Sequence, residues 1–265
     1  MKLLIIAPAG KMGQQVTREA LLRPEEFTII GGVERPGLPC IGQDIGVAAG
    51  TASVGAITYD SIHDIIGEAE GVIDFSTVDN SMNVFRTCHK HCKPLVTCTT
   101  GFCEEQKKEM RDAAKDFPFL FAGNTSKAIN MLYEVAGRIT EVFGSKADIE
   151  ITDIHDREKI DAPSGTAGEF GEVIAYKLGQ ELSDIADYGR RGRRIQGHIG
   201  FHSLRIGNVS SVHNIVFGLE GERIELTHTV YDYTPFAKGA LDGLLYVASQ
   251  PPGLYSFQDV LGLGQ

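Results

Sequence analysis

Residues 1–35 read MKLLIIAPAGKMGQQVTREALLRPEEFTIIGGVER. Residues 3–6 are a short apolar run, and a glycine turn, Ala9-Gly10-Lys11-Met12-Gly13, follows at once. Val16, Ala20 and Leu21 then recur at helical spacing, which predicts a helix over residues 14–22. A second apolar run over residues 27–33 ends at Glu34-Arg35. Strand, glycine turn, helix and strand in this order make a βαβ unit of the dinucleotide-binding kind. The turn departs from the three-glycine fingerprint, because Ala7 and Pro8 occupy its first part while Gly10 and Gly13 remain. Taken alone, it also fits a plain α/β domain that binds no nucleotide. Glu34 stands 21 positions after Gly13, where a ribose hydroxyl is held, and Arg35 beside it can meet a 2′-phosphate. Both NADH and NADPH are therefore expected as cofactors.

The alternation continues outward from this unit. Apolar runs at residues 71–75, 95–98 and 117–122 predict strands, and residues 83–92 and 104–115 predict helices between them. The strands end in Asp74-Phe75-Ser76-Thr77, in Cys98-Thr99-Thr100-Gly101 and in Ala122-Gly123-Asn124-Thr125-Ser126. Open parallel sheets bind ligands at such strand ends. Four ends rich in small and polar residues strengthen the nucleotide reading well beyond the first turn.

After a predicted helix over residues 130–143, residues 150–167 read EITDIHDREKIDAPSGTA. Ile149 and Ile151 alternate as in a strand, which then opens into His155, Asp156, Arg157, Glu158, Lys159 and Asp161. Pro163-Ser164-Gly165-Thr166 precedes a helical run over residues 167–178, with Ser164 or Thr166 as its cap. His155 is a proton carrier near neutrality, Lys159 is a cation that also donates a proton, and a helix start is an anion cradle. Together they point to a small carboxylate substrate that needs a proton. A polar turn ahead of a capped helix is the plain structural alternative.

From residue 199 the pattern is β, with turns at Gly207-Asn208 and at residues 218–221, and it is expected to form an antiparallel meander beside the strand ending at His155. His202, His213 and His228 fall in these strands as structural histidines. The arginines of residues 189–194 read as a loop over an anionic ligand or as a solvated loop. Residues 235–248 predict a helix, and the tail is expected to pack back on the nucleotide-binding part.

A net charge of −10 argues against nucleic acid or a membrane surface as partner. No apolar run approaches about 18 residues, so no spanning helix is expected. The apolar start runs directly into the glycine turn, so it reads as a strand rather than a signal peptide, and the protein as cytoplasmic. Cys40, Cys88, Cys92, Cys98 and Cys103 are an odd set in a long chain, not a disulfide framework. In Cys-His-Lys-His-Cys, residues 88–92, the cysteines would share a helix face while the histidines diverge, so no metal site is expected and these cysteines read as buried or half-buried.

The chain resembles the 4-hydroxy-tetrahydrodipicolinate (dihydrodipicolinate) reductase family of lysine and diaminopimelate biosynthesis along essentially its whole length. The most specific match is His155-x-x-x-Lys159-x-Asp161-Ala-Pro-Ser-Gly-Thr166. Gly10-Lys11-Met12-Gly13, Glu34-Arg35, Asp74-Phe75-Ser76, Thr99-Thr100-Gly101-Phe102, Asn124-Thr125-Ser126 and Phe236-Ala237 support it. The resemblance implies an α/β protein: an N-terminal Rossmann domain (residues 1–126 plus 236–265) and a C-terminal α+β domain on a mixed or antiparallel sheet (residues 127–235). The second domain would bind a cyclic dicarboxylate and build a homotetramer through its sheet. It implies His155 as acid/base, Lys159 as proton donor and carboxylate contact, and Asp156, Gly165 and Thr166 at the substrate. Ala7, Pro8, Ala9, Gly10, Lys11, Met12, Gly13, Glu34, Arg35, Ser76, Cys98, Thr99, Thr100, Ala122, Gly123, Asn124 and Thr125 would line the cofactor. Asp156 replaces a usual histidine, Tyr233 a common arginine, and Ala7, Cys98 and Ala128 usual glycines. The alternatives are a related reductase acting on another imine or carboxylate, and a non-catalytic NAD(P)H sensor. The latter would need only the N-terminal half, whereas both His155 and Lys159 are retained.

Overall fold

The computed structural model describes residues 1–263. They form two compact units: Met1–Lys127 together with the segment from Tyr233 onward, and Ala128–Asp232. The first unit holds β1 (Lys2–Ile6), β2 (Thr28–Val33), β3 (Thr58–Tyr59), β4 (Gly71–Asp74), β5 (Leu95–Thr97) and β6 (Pro118–Phe121). The second holds β7 (Asp148–His155), β8 (Ala186–Tyr188), β9 (Ile199–Arg205), β10 (Ser211–Leu219) and β11 (Glu222–Val230), and β12 (Gly253–Tyr255) returns to the first sheet. No helix among the described residues is long and apolar enough to cross a membrane.

The first sheet is parallel throughout, in the order β12-β6-β5-β4-β1-β2-β3. Its strands read as unbroken apolar runs because helices cover both faces. Leu3 and Ile5 of β1 pack with Ile73, Val96, Leu120 and the helix Thr234–Ala248 on one side. Leu4 and Ile6 pack with Val72, Phe85, Phe117 and Phe119 on the other. Each fully buried side chain of this size contributes about 1.5–3 kcal/mol. Gly239 lets the helix Thr234–Ala248 lie directly on the chain after β6, since a Cβ there would stand 1.7 Å from the Thr125 carbonyl oxygen. The chain leaves β1 toward β2 and β3, then crosses to β4 on its other side, so the strand order reverses between β1 and β4.

Several helices start two or more residues earlier than the periodicity reading, and two of these bear on the site or the cysteines. The first is Lys11–Leu21, starting within the glycine turn, because Lys11 and Met12 carry no periodic signal although Gly10 already caps the turn. The helix Val78–Lys90 starts earlier than expected and ends before Cys92, which has φ +49°. Cys88 and Cys92 therefore do not share a helix face: Cys88 is buried and Cys92 exposed, as is Cys103.

The second sheet has the order β11-β10-β7-β9-β8. It corrects the meander. β9 runs parallel to β7, and β10 lies antiparallel on the opposite side of β7. Only β10 and β11 form a hairpin between consecutive strands. A parallel neighbour requires a crossover connection, and the helix Gly165–Leu178 supplies it between β7 and β9. Residues 206–210 then step over the end of β7, a span of two strand spacings or about 10 Å. Backbone bonds hold this step against β7: Ile206 N–H donates to His155 O at 3.0 Å, and Arg157 N–H to Gly207 O at 3.2 Å.

β7 alternates strictly, with Ile149, Ile151, Asp153 and His155 inward. Tyr133, Phe170 and Ile174, from the helices Lys127–Phe143 and Gly165–Leu178, cover its apolar half together with Phe201, Ile215 and Phe217. On the outer face, Glu150 lies across β9, where Gly200 leaves space: a Cβ there would stand 1.8 Å from Glu150 Oε2. Glu150 pairs with His202 at 2.6 Å, Arg194 at 2.5 Å and Arg190 at 3.4 Å, and Arg194 also reaches Asp148 at 2.8 Å. Two of the loop arginines thus tie their loop to this sheet.

Candidate active site

At the carboxyl end of β1, Ala7 takes φ +58°, the left-handed conformation that glycine adopts freely and that costs another residue roughly 1–2 kcal/mol. The turn keeps its shape without the first glycine. Ala7 N–H donates to Val33 O at 2.8 Å, and Gly10 N–H to Ala7 O at 3.1 Å. Gly13 is required by contact: a Cβ would stand 2.2 Å from Ala7 O and 2.7 Å from Pro8 Cα. The helix Lys11–Leu21 opens with no side-chain cap at Gly10 and no acidic residue in its first turn. Such an end suits a pyrophosphate.

The other strand ends are stitched to one another. Asp74 is fully buried at the end of β4, where Ser76 N–H donates to its Oδ1 at 2.9 Å and the Ser81 hydroxyl bonds its Oδ2. Burial pushes the Asp74 carboxyl up despite these bonds. Cys98 N–H donates to Asp74 O at 2.9 Å, and Thr99 Oγ1 to Ser76 O at 3.1 Å. Burial also raises the Cys98 thiol far above its ordinary value, so it serves as packing rather than as a nucleophile. Ala122 N–H donates to Thr97 O at 3.1 Å, and Thr125 Oγ1 to Phe236 O at 2.7 Å. All the cofactor candidates therefore lie along one edge of one parallel sheet: residues 7–13 after β1, Glu34 and Arg35 after β2, Ser76 after β4, residues 98–100 after β5 and residues 122–125 after β6. The strand order reverses in the middle of that edge, which is where such sheets bind ligands.

The second cluster is built on the inner face of β7. His155 is nearly buried, with Nδ1 2.9 Å from Asp153 Oδ2. Asp153 also accepts from Ser203 Oγ at 2.6 Å and from Arg205 Nη1 at 2.8 Å. Burial alone would raise this carboxyl, but the bonds from His155, Ser203 and Arg205 outweigh it and hold Asp153 well below the usual carboxylate range. An ionised carboxylate only accepts, so His155 Nδ1 carries the proton and Nε2 is left for proton transfer. The His213 ring meets that of His155 edge-on at 5.2 Å, and its Nε2 lies 3.0 Å from Ser164 Oγ. Burial, then the neighbouring His155, pushes His213 down to about 3.

Ser164 caps the helix Gly165–Leu178, accepting from Ala167 N–H at 3.2 Å, so Gly165 and Thr166 are its first two residues. A Cβ on Gly165 would meet nothing within 4 Å. Lys159 Nζ pairs with Asp161 Oδ1 at 2.8 Å, and Asp161 is more than half exposed. An exposed pair of this kind is worth about 0–1 kcal/mol, so an anionic ligand can take the place of Asp161. The Asp156 carboxylate turns onto its own loop, accepting Glu158 N–H at 2.8 Å. His155, Asp156, Lys159, Gly165 and Thr166 thus share one strand end and the loop that follows it.

Asp153, Ser203 and Arg205 escaped the sequence reading. Asp153 had a signal: it continues the inward alternation of Ile149 and Ile151, where a carboxylate needs a partner. Arg205 had none, because its partnership depends on β9 lying parallel to β7.

Family models cover both units. Residues 1–125 match "Dihydrodipicolinate reductase, N-terminus", and residues 128–261 match "Dihydrodipicolinate reductase, C-terminus". The chain belongs to the dihydrodipicolinate reductase family. Among similar solved structures is a dipicolinate-bound dihydrodipicolinate reductase from Paenisporosarcina sp. TG-14, with 20% identity, 98% of each chain covered and a TM-score of 0.78. An amine dehydrogenase from Mycobacterium smegmatis shares the fold at 13% identity and TM-score 0.68, covering 97% of this chain and 95% of its own. GenD2 from gentamicin A biosynthesis, in complex with NAD, does so at 9% identity and TM-score 0.63, covering 99% and 90%. As a dihydrodipicolinate reductase family member, the protein is an NAD(P)H-dependent oxidoreductase with the family's reductase role in lysine biosynthesis. The uncapped helix start and the turn closed around Gly13 fit that cofactor.

Proposed function

We propose that the substrate is the cyclic dicarboxylate 4-hydroxy-tetrahydrodipicolinate, reduced to tetrahydrodipicolinate, and that His155 and Lys159 carry the proton chemistry. The observation that supports this most is the Asp153–His155 pair, which leaves one imidazole nitrogen for transfer at the mouth of the loop bearing Lys159. Bound NADH or NADPH supplies the hydride. Lys159 exchanges Asp161 for a substrate carboxylate, neutralises it and donates a proton. The start of the helix at Gly165 and Thr166 receives the same kind of anion through backbone N–H and hydroxyl groups. Loss of water from the substrate leaves a conjugated imine, which accepts hydride more readily once its carboxylates are neutralised. His155 manages the second proton through Nε2. Residues 7–13, Glu34, Arg35, Ser76, 98–100 and 122–125 hold the cofactor, so residues 1–126 plus 236–265 act as cofactor domain and 127–235 as substrate domain.

The same reading has the protein working in the cytoplasm as a homotetramer, assembled through the outer face of the second sheet. There Leu204 is 39% exposed. Light scattering checks the tetramer, and a monomer would reject it.

The test of the site is a coupled assay in which the upstream synthase makes the substrate from pyruvate and aspartate semialdehyde. Lys159→Ala should lower kcat/KM by about 10³-fold or more, since a lost general acid costs about 10²–10⁴ and a lost ion pair adds to it. His155→Ala should lose about 10²-fold, because water partly replaces it. A Lys159→Ala protein with near-normal kcat/KM would reject the assignment.

A further inference from the structure

We propose that Asp153 is a positioning residue for the reaction, setting His155 directly and the Lys159 loop through Arg205. The inference rests on the roles proposed above for His155 and Lys159.

Asp153 and His155 are two apart on one strand, so their side chains leave the same face of the sheet. By register Asp153 stands between His213 of β10 and Ser203 of β9, while His155 stands between Ser211 and Arg205. A carboxylate here interrupts an inward row that begins with Ile149 and Ile151, at a site only 1% exposed. Burying a charge is costly unless it is paired and hydrogen-bonded, and all the partners of this one are drawn from the neighbourhood of the site.

Those partners form a continuous chain. His155 Nδ1 lies 2.9 Å from Asp153 Oδ2, and Arg205 Nη1 donates to that same oxygen at 2.8 Å. Arg205 Nη2 donates to the backbone carbonyl of Asp161. Asp161 Oδ1 in turn pairs with Lys159 Nζ at 2.8 Å. The two proton-handling groups therefore share one buried anchor, although they come from a strand and from a loop. His155 depends on it for its tautomer. The Lys159 loop depends on it for its place, because Arg205 reaches Asp161 while its other nitrogen is held by Asp153.

The two arms predict different kinetic losses. In Asp153→Asn, the amide can donate to Nδ1 as well as accept from it, so Nε2 is no longer reserved for transfer. The expected result is a fall in kcat of about 10- to 100-fold, up to the loss expected for removing His155 itself. The KM for the dicarboxylate should change less than about threefold, because the Asn amide oxygen still accepts from Arg205 and so keeps the Lys159 loop in place. Added to His155→Ala, the same substitution should cost almost nothing further, since its effect passes through a side chain already removed.

Asp153→Asn also leaves the Arg205 charge without a carboxylate to balance it and could hinder folding. The charge-balanced Asp153→Asn/Arg205→Met protein avoids this. It should show the same kcat loss, again abolished in the His155→Ala background, together with a raised KM from the released loop. The experiment is this set of full-length variants in the coupled assay, with thermal melts to establish folding. Wild-type kcat in Asp153→Asn, or in the balanced pair, overturns the proposal. So does a loss that multiplies undiminished onto His155→Ala, which would mean a merely structural role. A His155→Ala protein with wild-type activity removes the reading beneath the proposal and the proposal with it. That result is seen in the single variant, independently of any substitution at Asp153.

Discussion

The two units place their working groups in different kinds of position. In the first, the candidate groups are mostly backbone and small side chains just beyond the ends of parallel strands, and the strands are apolar until their last residues, where Asp74 closes β4 and Thr97 closes β5. In the second, polar groups stand within the sheet: the inner face of β7 changes from Ile149 and Ile151 to Asp153 and His155 without leaving the strand. A cofactor cradle can rest on the edge of an uninterrupted core. The proton-transfer site proposed at His155 needs an oriented imidazole, and the group that holds this one is a buried carboxylate that displaces part of the core. Shape should therefore dominate the response to substitution in the first unit, and charge in the second.

The largest structural effect expected in the first unit is at Gly13. A methyl group there would meet the Ala7 and Pro8 backbone, which cannot swing aside as a side chain can. Gly13→Ala should cost about 1–3 kcal/mol of stability and at least about tenfold in NADH affinity, because the turn that must shift is the one proposed to hold the pyrophosphate. Fluorescence titration with NADH measures it, and unchanged affinity would break the assignment of shape to this unit.

Next in size is an opposite response to acid. His213 in the second unit is held down to about 3, whereas a histidine in the unfolded chain takes a proton near about 6.5. Between these values the unfolded state binds the proton and the folded state does not, so stability falls as the pH drops through that window. From pH 6.5 to 5 the loss is about 2 kcal/mol. Asp74 in the first unit has a carboxyl raised by burial, so its contribution is present in acid and lost as the pH rises through its folded value. Hydrogen exchange, corrected for intrinsic rates, should show β10 amides opening more readily at pH 5 than at pH 7, with no such loss in β1. His213→Asn should flatten the change in β10. Equal acid sensitivity in both units would contradict the contrast.

The smallest effect concerns the choice of cofactor. Arg35 is exposed beside Glu34, whose carboxylate accepts the Arg35 N–H at 3.0 Å. Arg35→Ala should weaken NADPH by about tenfold and NADH little, since only NADPH carries the phosphate that a guanidinium grips. Equal losses for the two cofactors would remove Arg35 from that role.

The same contrast governs what the sequence reveals. Unbroken apolar runs alternating with helical spacing, each ending in small polar residues, make the parallel sheet and its binding edge readable. The position of Ala7 in the turn was readable too, but not that alanine itself would adopt the left-handed conformation. In the second unit the strands were readable and their pairing was not. Gly207-Asn208 looks the same whether it closes a hairpin or steps across β7, because only the partner strands distinguish the two. His155 and Lys159 stand out through their motif, whereas Arg205 meets Asp153 only because β9 lies parallel to β7. Asp153 lay between these cases, as a charged residue on an otherwise apolar face.

The most direct test of the division between the units is calorimetric titration of the wild-type protein and Lys159→Ala, first with NADH and then with pyridine-2,6-dicarboxylate. The account predicts equal NADH affinity in the two proteins, with dicarboxylate binding at least about 100-fold weaker in Lys159→Ala because the cation that pairs with it is gone. Dicarboxylate affinity undiminished in Lys159→Ala, or NADH binding lost together with it, would contradict the account.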